Sequence, residues 1–212
     1  MKTIPGGFII FFEGIDGTGK TTQLKRTAEF LKSDGWLVET ARAHGGTPIG
    51  EALRSVSLSN ILRPPLTDLY ISLAMHASLA EKVAEWRQTG AIILIDRSPL
   101  SMVAYQQYGD HLAPEIVEMA AAQAMSRFSA ELCITYVATV DTAMERAKQK
   151  HTGNADHFES KGQMYFERVQ QGYHAAAELY GCTVIDSTTA STDAVGDLTI
   201  TAIRAAIKNR PH

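Results

Sequence analysis

Five short apolar segments punctuate the chain, at residues 8–12, 36–38, 91–95, 132–137 and 182–185, and longer stretches of helical period separate them. That alternation predicts a parallel sheet flanked by helices. The run Ala91-Ile92-Ile93-Leu94-Ile95 is apolar throughout, as a strand covered on both faces requires, because neither side-chain direction meets water. Caps and period predict helices over residues 21–31, 48–58, 68–88, 114–125, 142–150, 162–180 and 193–208, with Thr47 as a possible cap for the second. Residues 148–162 are polar, contain Gly153 and Asn154, and show no apolar period. They are expected to form a mobile loop.

The first strand runs into Gly14-Ile15-Asp16-Gly17-Thr18-Gly19-Lys20-Thr21, which satisfies GxxxxGK[ST] and opens the first helix. Glycines at this spacing let backbone N–H groups wrap a phosphate at the positive end of a helix dipole. Gly14, Ile15, Asp16, Gly17, Thr18, Gly19, Lys20, Thr21 and Thr22 are therefore the candidate contacts to a nucleotide's phosphates. Lys20 would lie on the β- and γ-phosphates, and Thr21 would ligate a bridging Mg²⁺. ATP with Mg²⁺ is the expected pair. The third strand ends in Asp96-Arg97-Ser98, at the sheet edge where open α/β folds bind ligands. Asp96 is the second candidate for the metal's shell, and Arg97 a phosphate clamp. A guanine-reading Asn-Lys-x-Asp is missing, since none of Asn60, Asn154 and Asn209 precedes a lysine, which excludes a GTPase switch.

The remaining properties bound the class. A chain of 212 residues is expected to fold as one domain, residues 1–212, with no repeat or linker to divide it. A net charge of −3 offers no field for nucleic acid or an anionic membrane, and no apolar run approaches a membrane span or a secretory signal. Cys133 and Cys182 match no metal or redox spacing and are expected as buried thiols, fitting a reducing cytoplasm.

Three separated blocks carry a resemblance. They are Phe12-Glu13-Gly14-Ile15-Asp16-Gly17-Thr18-Gly19-Lys20-Thr21-Thr22-Gln23, then Gly45-Gly46-Thr47-Pro48-Ile49-Gly50-Glu51, then Asp96-Arg97 with Ala104-Tyr105-Gln106. In this order they resemble the thymidylate kinase family, and Phe166-Glu167-Arg168-Val169 and Val184-Ile185-Asp186 extend the likeness. The resemblance implies phosphoryl transfer from ATP to a deoxynucleoside monophosphate, dTMP foremost, on a five-stranded parallel P-loop sheet with a mobile lid near residues 148–161, in a homodimer. It also implies that Asp16 faces the acceptor's sugar hydroxyl, that Arg97 sits between the two phosphates, and that Arg42 stands near the acceptor phosphate. Tyr105 and Gln106 would close over the acceptor's sugar and base, with Tyr105 excluding a ribose hydroxyl.

The chain departs from the family pattern in three places. Arg42-Ala43-His44 stands where the family has Arg-Glu-Pro. The helix segment 70–78 lacks the family's base-reading arginine, leaving Tyr70 as the candidate aromatic and His76 as the candidate polar contact. The P-loop holds no arginine, so the catalytic cation is expected from Arg146, Lys148, Lys150 or His151 in the lid, whose closing pair reads Asp156-His157. Two other readings stay open on these residues: a kinase for another monophosphate or a nucleoside, with Glu13 or Asp96 as base, and a non-catalytic ATP-binding module.

Overall fold

The computed structural model describes residues 1–150 and 157–210. Among them, five parallel strands form one sheet: β1 (Phe8–Glu13), β2 (Val38–Arg42), β3 (Ile92–Asp96), β4 (Leu132–Val137) and β5 (Thr183–Asp186), in the order β2-β3-β1-β4-β5. This is the expected α/β architecture. Strand β1 is buried along its whole length, and β3 is buried up to Asp96.

The pleat assigns the two faces. Phe8, Ile10 and Phe12 of β1 pack with Ile92, Leu94, Ile134 and Tyr136 under helices α1 (Lys20–Ser33) and α8 (Thr192–Lys208). Ile9 and Phe11 turn the other way, joining Ile93 and Ile95 beneath Leu79 and Val83 of α3 (Pro65–Gln88) and Phe128 of α5 (Pro114–Phe128). Each of these side chains contributes about 1.5–3 kcal/mol on full burial, so the central strands anchor both layers.

Differences from the sequence reading follow from edges and caps. The second strand lies at Val38–Arg42 rather than 36–38, and Trp36 makes only an isolated bridge to Lys2. As an edge strand β2 needs only intermittent apolarity, and its exposure alternates from Val38 to Arg42. Helix α3 begins at Pro65 rather than Asp68, because proline suits the first helical position, where no N–H bond is needed. Thr47 caps α2 (Pro48–Leu58), accepting from the Gly50 N–H at 3.0 Å. Helix α6 (Val140–Lys150) carries helix into the first residues expected to be loop, and a 3₁₀ turn, Glu159–Lys161, closes the same stretch; residues 151–156 lie outside the described residues. Cys133 and Cys182 are free thiols, partly rather than fully buried.

A short helix α4 (Leu100–Met102) continues into a π-helix, Val103–Gly109, which packs on α7 (Gln163–Tyr180). The close approach depends on Gly172, where a Cβ would stand 2.7 Å from Ala104 Cα and 2.9 Å from Tyr108 Cβ. Gly172→Val is expected to destabilise the protein by about 1–3 kcal/mol, the usual cost of overpacking. At about 2–4 °C per kcal/mol, thermal unfolding followed by circular dichroism should show the lowered midpoint.

Candidate active site

The register of β1 and β3 sets the site. Phe12 pairs with Asp96 and Arg42 pairs with Asp96 from the other side, so three strand ends finish level. The ladder runs one step further, with Arg97 N–H donating to Phe12 O at 2.8 Å. Residue 97 has a left-handed φ of 70°, unusual outside glycine and typical of functional sites.

The P-loop leaves β1 and enters α1. Its first glycines are required by packing: a Cβ at Gly14 would lie 2.2 Å from Tyr136 O, and one at Gly17 would lie 1.8 Å from Ala143 O in α6. Gly19 is the one of the three whose missing side chain adjoins open space, while Gly14 and Gly17 seat the loop against β4 and α6. Ser187, just beyond β5, adds a further tie, its hydroxyl lying 2.9 Å from Thr18 O. No sequence motif marked it.

Two cations meet one carboxylate oxygen. Lys20 Nζ lies 2.5 Å and Arg97 Nη2 3.0 Å from Oδ1 of Asp16. Lys20 is buried, while half of the Asp16 side chain is exposed. Burial would raise the Asp16 carboxyl, but Lys20 and then Arg97 override it and hold it well below the usual carboxylate range.

Behind Arg97 runs a directional hydrogen-bond chain. Arg97 Nη1 donates to Tyr173 OH at 2.8 Å, Tyr173 OH lies 2.9 Å from Ser101 Oγ, and Ser101 Oγ donates to Glu13 at 3.0 Å. Glu13 is fully buried and also accepts from Ser98 N at 2.6 Å and Ser98 Oγ at 2.8 Å. Burial raises its carboxyl, opposed by Arg97 and Ser98. Tyr105 OH receives Arg97 Nη2 at 3.3 Å, and the guanidinium carbon stands 5.2 Å from the Tyr105 ring centre.

These groups open on a cavity of about 780 Å³. Asp16, Lys20, Thr21, Arg42, Asp96, Arg97, Tyr105 and Gln106 all line it. The consecutive Tyr105 and Gln106 both reach it from the π-helix, whose i→i+5 bond closes from Asp110 N to Tyr105 O at 2.9 Å; π-turns recur at functional sites. Arg42 stands at the rim, paired with Glu51 at 2.8 Å, and Glu51 also accepts from Gly46 N. Arg54, missed in the sequence, lines the cavity as well and donates to His44 O at 3.0 Å. Its place on α2, between capping Thr47 and the helix end, was the available signal.

Several expected contacts do not reach this cavity. Tyr70 is 59 % exposed on α3, and His76 is fully buried in the core beside Phe128; neither lines the cavity. His44, which lines the cavity, packs its ring against that of His76 with centres 5.3 Å apart. Arg146 is committed elsewhere, donating to Ser187 O and Thr188 O at 3.0 Å each. Lys148 is exposed on α6 and does not line the cavity. The side chain of Lys150 and all of His151 lie outside the described residues. At the far end of that stretch, His157 N donates to Leu58 O at 3.3 Å, and Phe158 lines the cavity.

A divalent cation has a matching donor set. Thr21 Oγ1 donates to Asp96 Oδ2 at 2.6 Å, a hard oxygen pair of the kind Mg²⁺ takes along with waters and phosphate oxygens. Among the described residues no group of three or more His, Cys, Asp and Glu gathers into a metal cage. Among the same residues no helix is long and apolar enough to cross a membrane.

A P-loop between β1 and α1, a strand-end Asp-Arg pair and a cavity with cations at its floor define a P-loop phosphotransferase. The thymidylate kinase family model matches residues 12–197. The thymidylate kinase of Geobacter sulfurreducens is 32% identical over 213 residues, covering 96% of this chain and 98% of that one. That of Thermosipho africanus is 35% identical over 172 residues, covering 80% and 84%. In fold the chain resembles the solved thymidylate kinase of Ehrlichia chaffeensis, with a TM-score of 0.74 at 23% identity over 94% of this chain and 100% of that one. The chain belongs to the thymidylate kinase family.

The core histidine makes stability pH-dependent. Burial pushes His76 down to about 4 from 6.5, so it stays neutral in the fold while the unfolded chain protonates it. Its contribution is complete above pH 6.5 and falls as pH drops toward 4, by up to about 3 kcal/mol. Urea unfolding between pH 7 and pH 4 should show a shallower decline for His76→Asn than for the wild type. Parallel declines would remove His76 as the source.

Proposed function

We propose that the chain transfers the γ-phosphoryl group of ATP to dTMP, giving dTDP and ADP. The observation that carries the reading is the convergence of Lys20 and Arg97 on Asp16 between the P-loop and the end of β3. Two cations at one point offer a phosphoryl group in flight a charge-stabilising seat, and such positioned charge is the main source of rate in phosphoryl transfer.

In this reading the P-loop amides from Gly14 to Thr22 hold ATP's phosphates, and Lys20 exchanges Asp16 for phosphate oxygen. Thr21 and Asp96 hold Mg²⁺, which when bound supplies positive charge against the phosphates. Arg97 lies between donor and acceptor, kept in place by Tyr173 and Tyr105. Arg54 and Arg42 take the acceptor phosphate, Asp16 its sugar hydroxyl, and Tyr105 and Gln106 close over the rest. The acceptor phosphate is itself the nucleophile, since it carries about −1.5 to −2 charge at pH 7, so no base is needed. A nucleoside acceptor would need one. Of the two candidate bases, Glu13 is sealed from the cavity and occupied by serine donors, while Asp96 lines the cavity and accepts from Thr21 Oγ1 at 2.6 Å. The burial of Glu13 supports a monophosphate, and Asp96 is assigned to the metal.

Lys20→Ala should fold normally and lose at least about 10²–10³-fold in kcat. The direct assay is ADP release from ATP and Mg²⁺ against dTMP, dUMP, dCMP, dGMP, CMP, UMP, AMP, thymidine and deoxycytidine, with product mass checked. Turnover of dTMP to its diphosphate is expected; an inert dTMP would sink the reading.

A homodimer fits the family and the exposed Tyr70, Ile116 and Met119 on the adjoining helices α3 and α5. Sedimentation velocity should return twice the chain mass, and a monomer at micromolar concentration would refute it. The free thiols Cys133 and Cys182 support action in the cytoplasm.

A further inference from the structure

One wall of the cavity carries groups that phosphoryl transfer does not use. His44 lines it, and its Nε2 lies 3.1 Å from Ser72 Oγ. Ser72 Oγ is in turn 3.5 Å from Nδ1 of His76. The Ser72 carbonyl, which can only accept, is 2.8 Å from that same Nδ1, so His76 carries its proton there. The two imidazoles meet edge to face with centres 5.3 Å apart. His76 is thus fixed in the core behind His44, and Ser72 pins the His44 ring. Arg54 holds the His44 carbonyl at 3.0 Å, so the backbone is pinned as well. The other ring nitrogen of His44, Nδ1, is buried and has no hydrogen-bond partner among the described residues. A buried polar atom left unpaired is costly, and native structures keep few of them.

Charge decides what this ring can meet. Burial first, then His76, Arg97 and Arg54, holds His44 well below 6.5, so the imidazole is neutral at pH 7. Beside the guanidiniums of Arg42, Arg54 and Arg97 in the same cavity, a neutral ring adds little for a phosphate. With Nε2 taken by Ser72, the ring has Nδ1 left as a single donor or acceptor on a flat apolar body, which matches one polar atom on a nucleobase edge. Resting on the reading of this cavity as an acceptor-nucleotide pocket, we propose that His44 contacts the acceptor's base and sets base preference, with Ser72 and His76 as positioning residues that fix its ring.

The test compares kcat/KM for dTMP, dUMP, dCMP and dGMP at saturating ATP in the wild type, His44→Ala, His44→Asn and Ser72→Ala. His44→Ala should change the ratio between the preferred acceptor and at least one other by tenfold or more, through acceptor KM, while KM for ATP stays within twofold. Ser72→Ala should move the ratio the same way by a smaller factor. If His44→Ala fails to fold, His44→Asn, of similar polarity and smaller reach, carries the same expectation. An equal loss for all acceptors, or an ATP KM that rises in step, would overturn the proposal and leave His44 as a prop for the Gly45-Gly46 turn. A wild type that prefers another monophosphate overturns the dTMP reading alone, because the ratios are then read against that acceptor.

Discussion

The pairing of β1 with β3 is the constraint on which the rest of the molecule depends. Because Phe12 sits opposite Asp96, the P-loop and the Asp-Arg pair leave the sheet at one level. The extra ladder bond from Arg97 N to Phe12 O then holds residue 97 in a left-handed conformation. A one-residue slip would send every side chain of the strand to the opposite face, so Phe8, Ile10 and Phe12 would have to fill places shaped for Ile9 and Phe11, and Glu13 would leave its serine donors. The order of the core thus fixes the geometry of the charges.

Those charges are tolerable because each has a partner. Glu13 lies in the interior, where an unpaired carboxylate would be expensive, and is compensated by donors from Ser98 and Ser101. The same carboxylate terminates the chain through Tyr173 that ends at Arg97. A buried acid and a site arginine are thereby linked through a helix, α7. The cost of burying Glu13 is offset by hydrogen bonds that also aim the guanidinium.

What the sequence disclosed and what it hid divide along physical lines. Central strands were readable because burial on both faces leaves an unbroken apolar run, as in residues 91–95. The edge strand β2 extends beyond its apolar segment, because an edge strand keeps residues such as Thr40 and Arg42 in water. The P-loop and Asp96-Arg97 were legible because local backbone chemistry fixes them. Arg54, Ser187 and Tyr173 were not, since each enters through tertiary packing from a helix or loop whose own pattern is ordinary. His76 is polar and lies in the segment that the resemblance gives to the base, but it is buried in the core, and the ring of His44, thirty-two positions earlier in the chain, packs on it. The π-helix left no trace in the apolar period.

The pairing of Lys20 with Asp16 also means that the floor of the site carries its own counter-ion. A stray anion must displace a carboxylate held by two cations before it can settle, and a ligand that makes several contacts at once meets that cost more easily than one that makes a single contact. An internal competitor of this kind weakens the grip on any anion that meets Lys20, because the carboxylate must first be displaced.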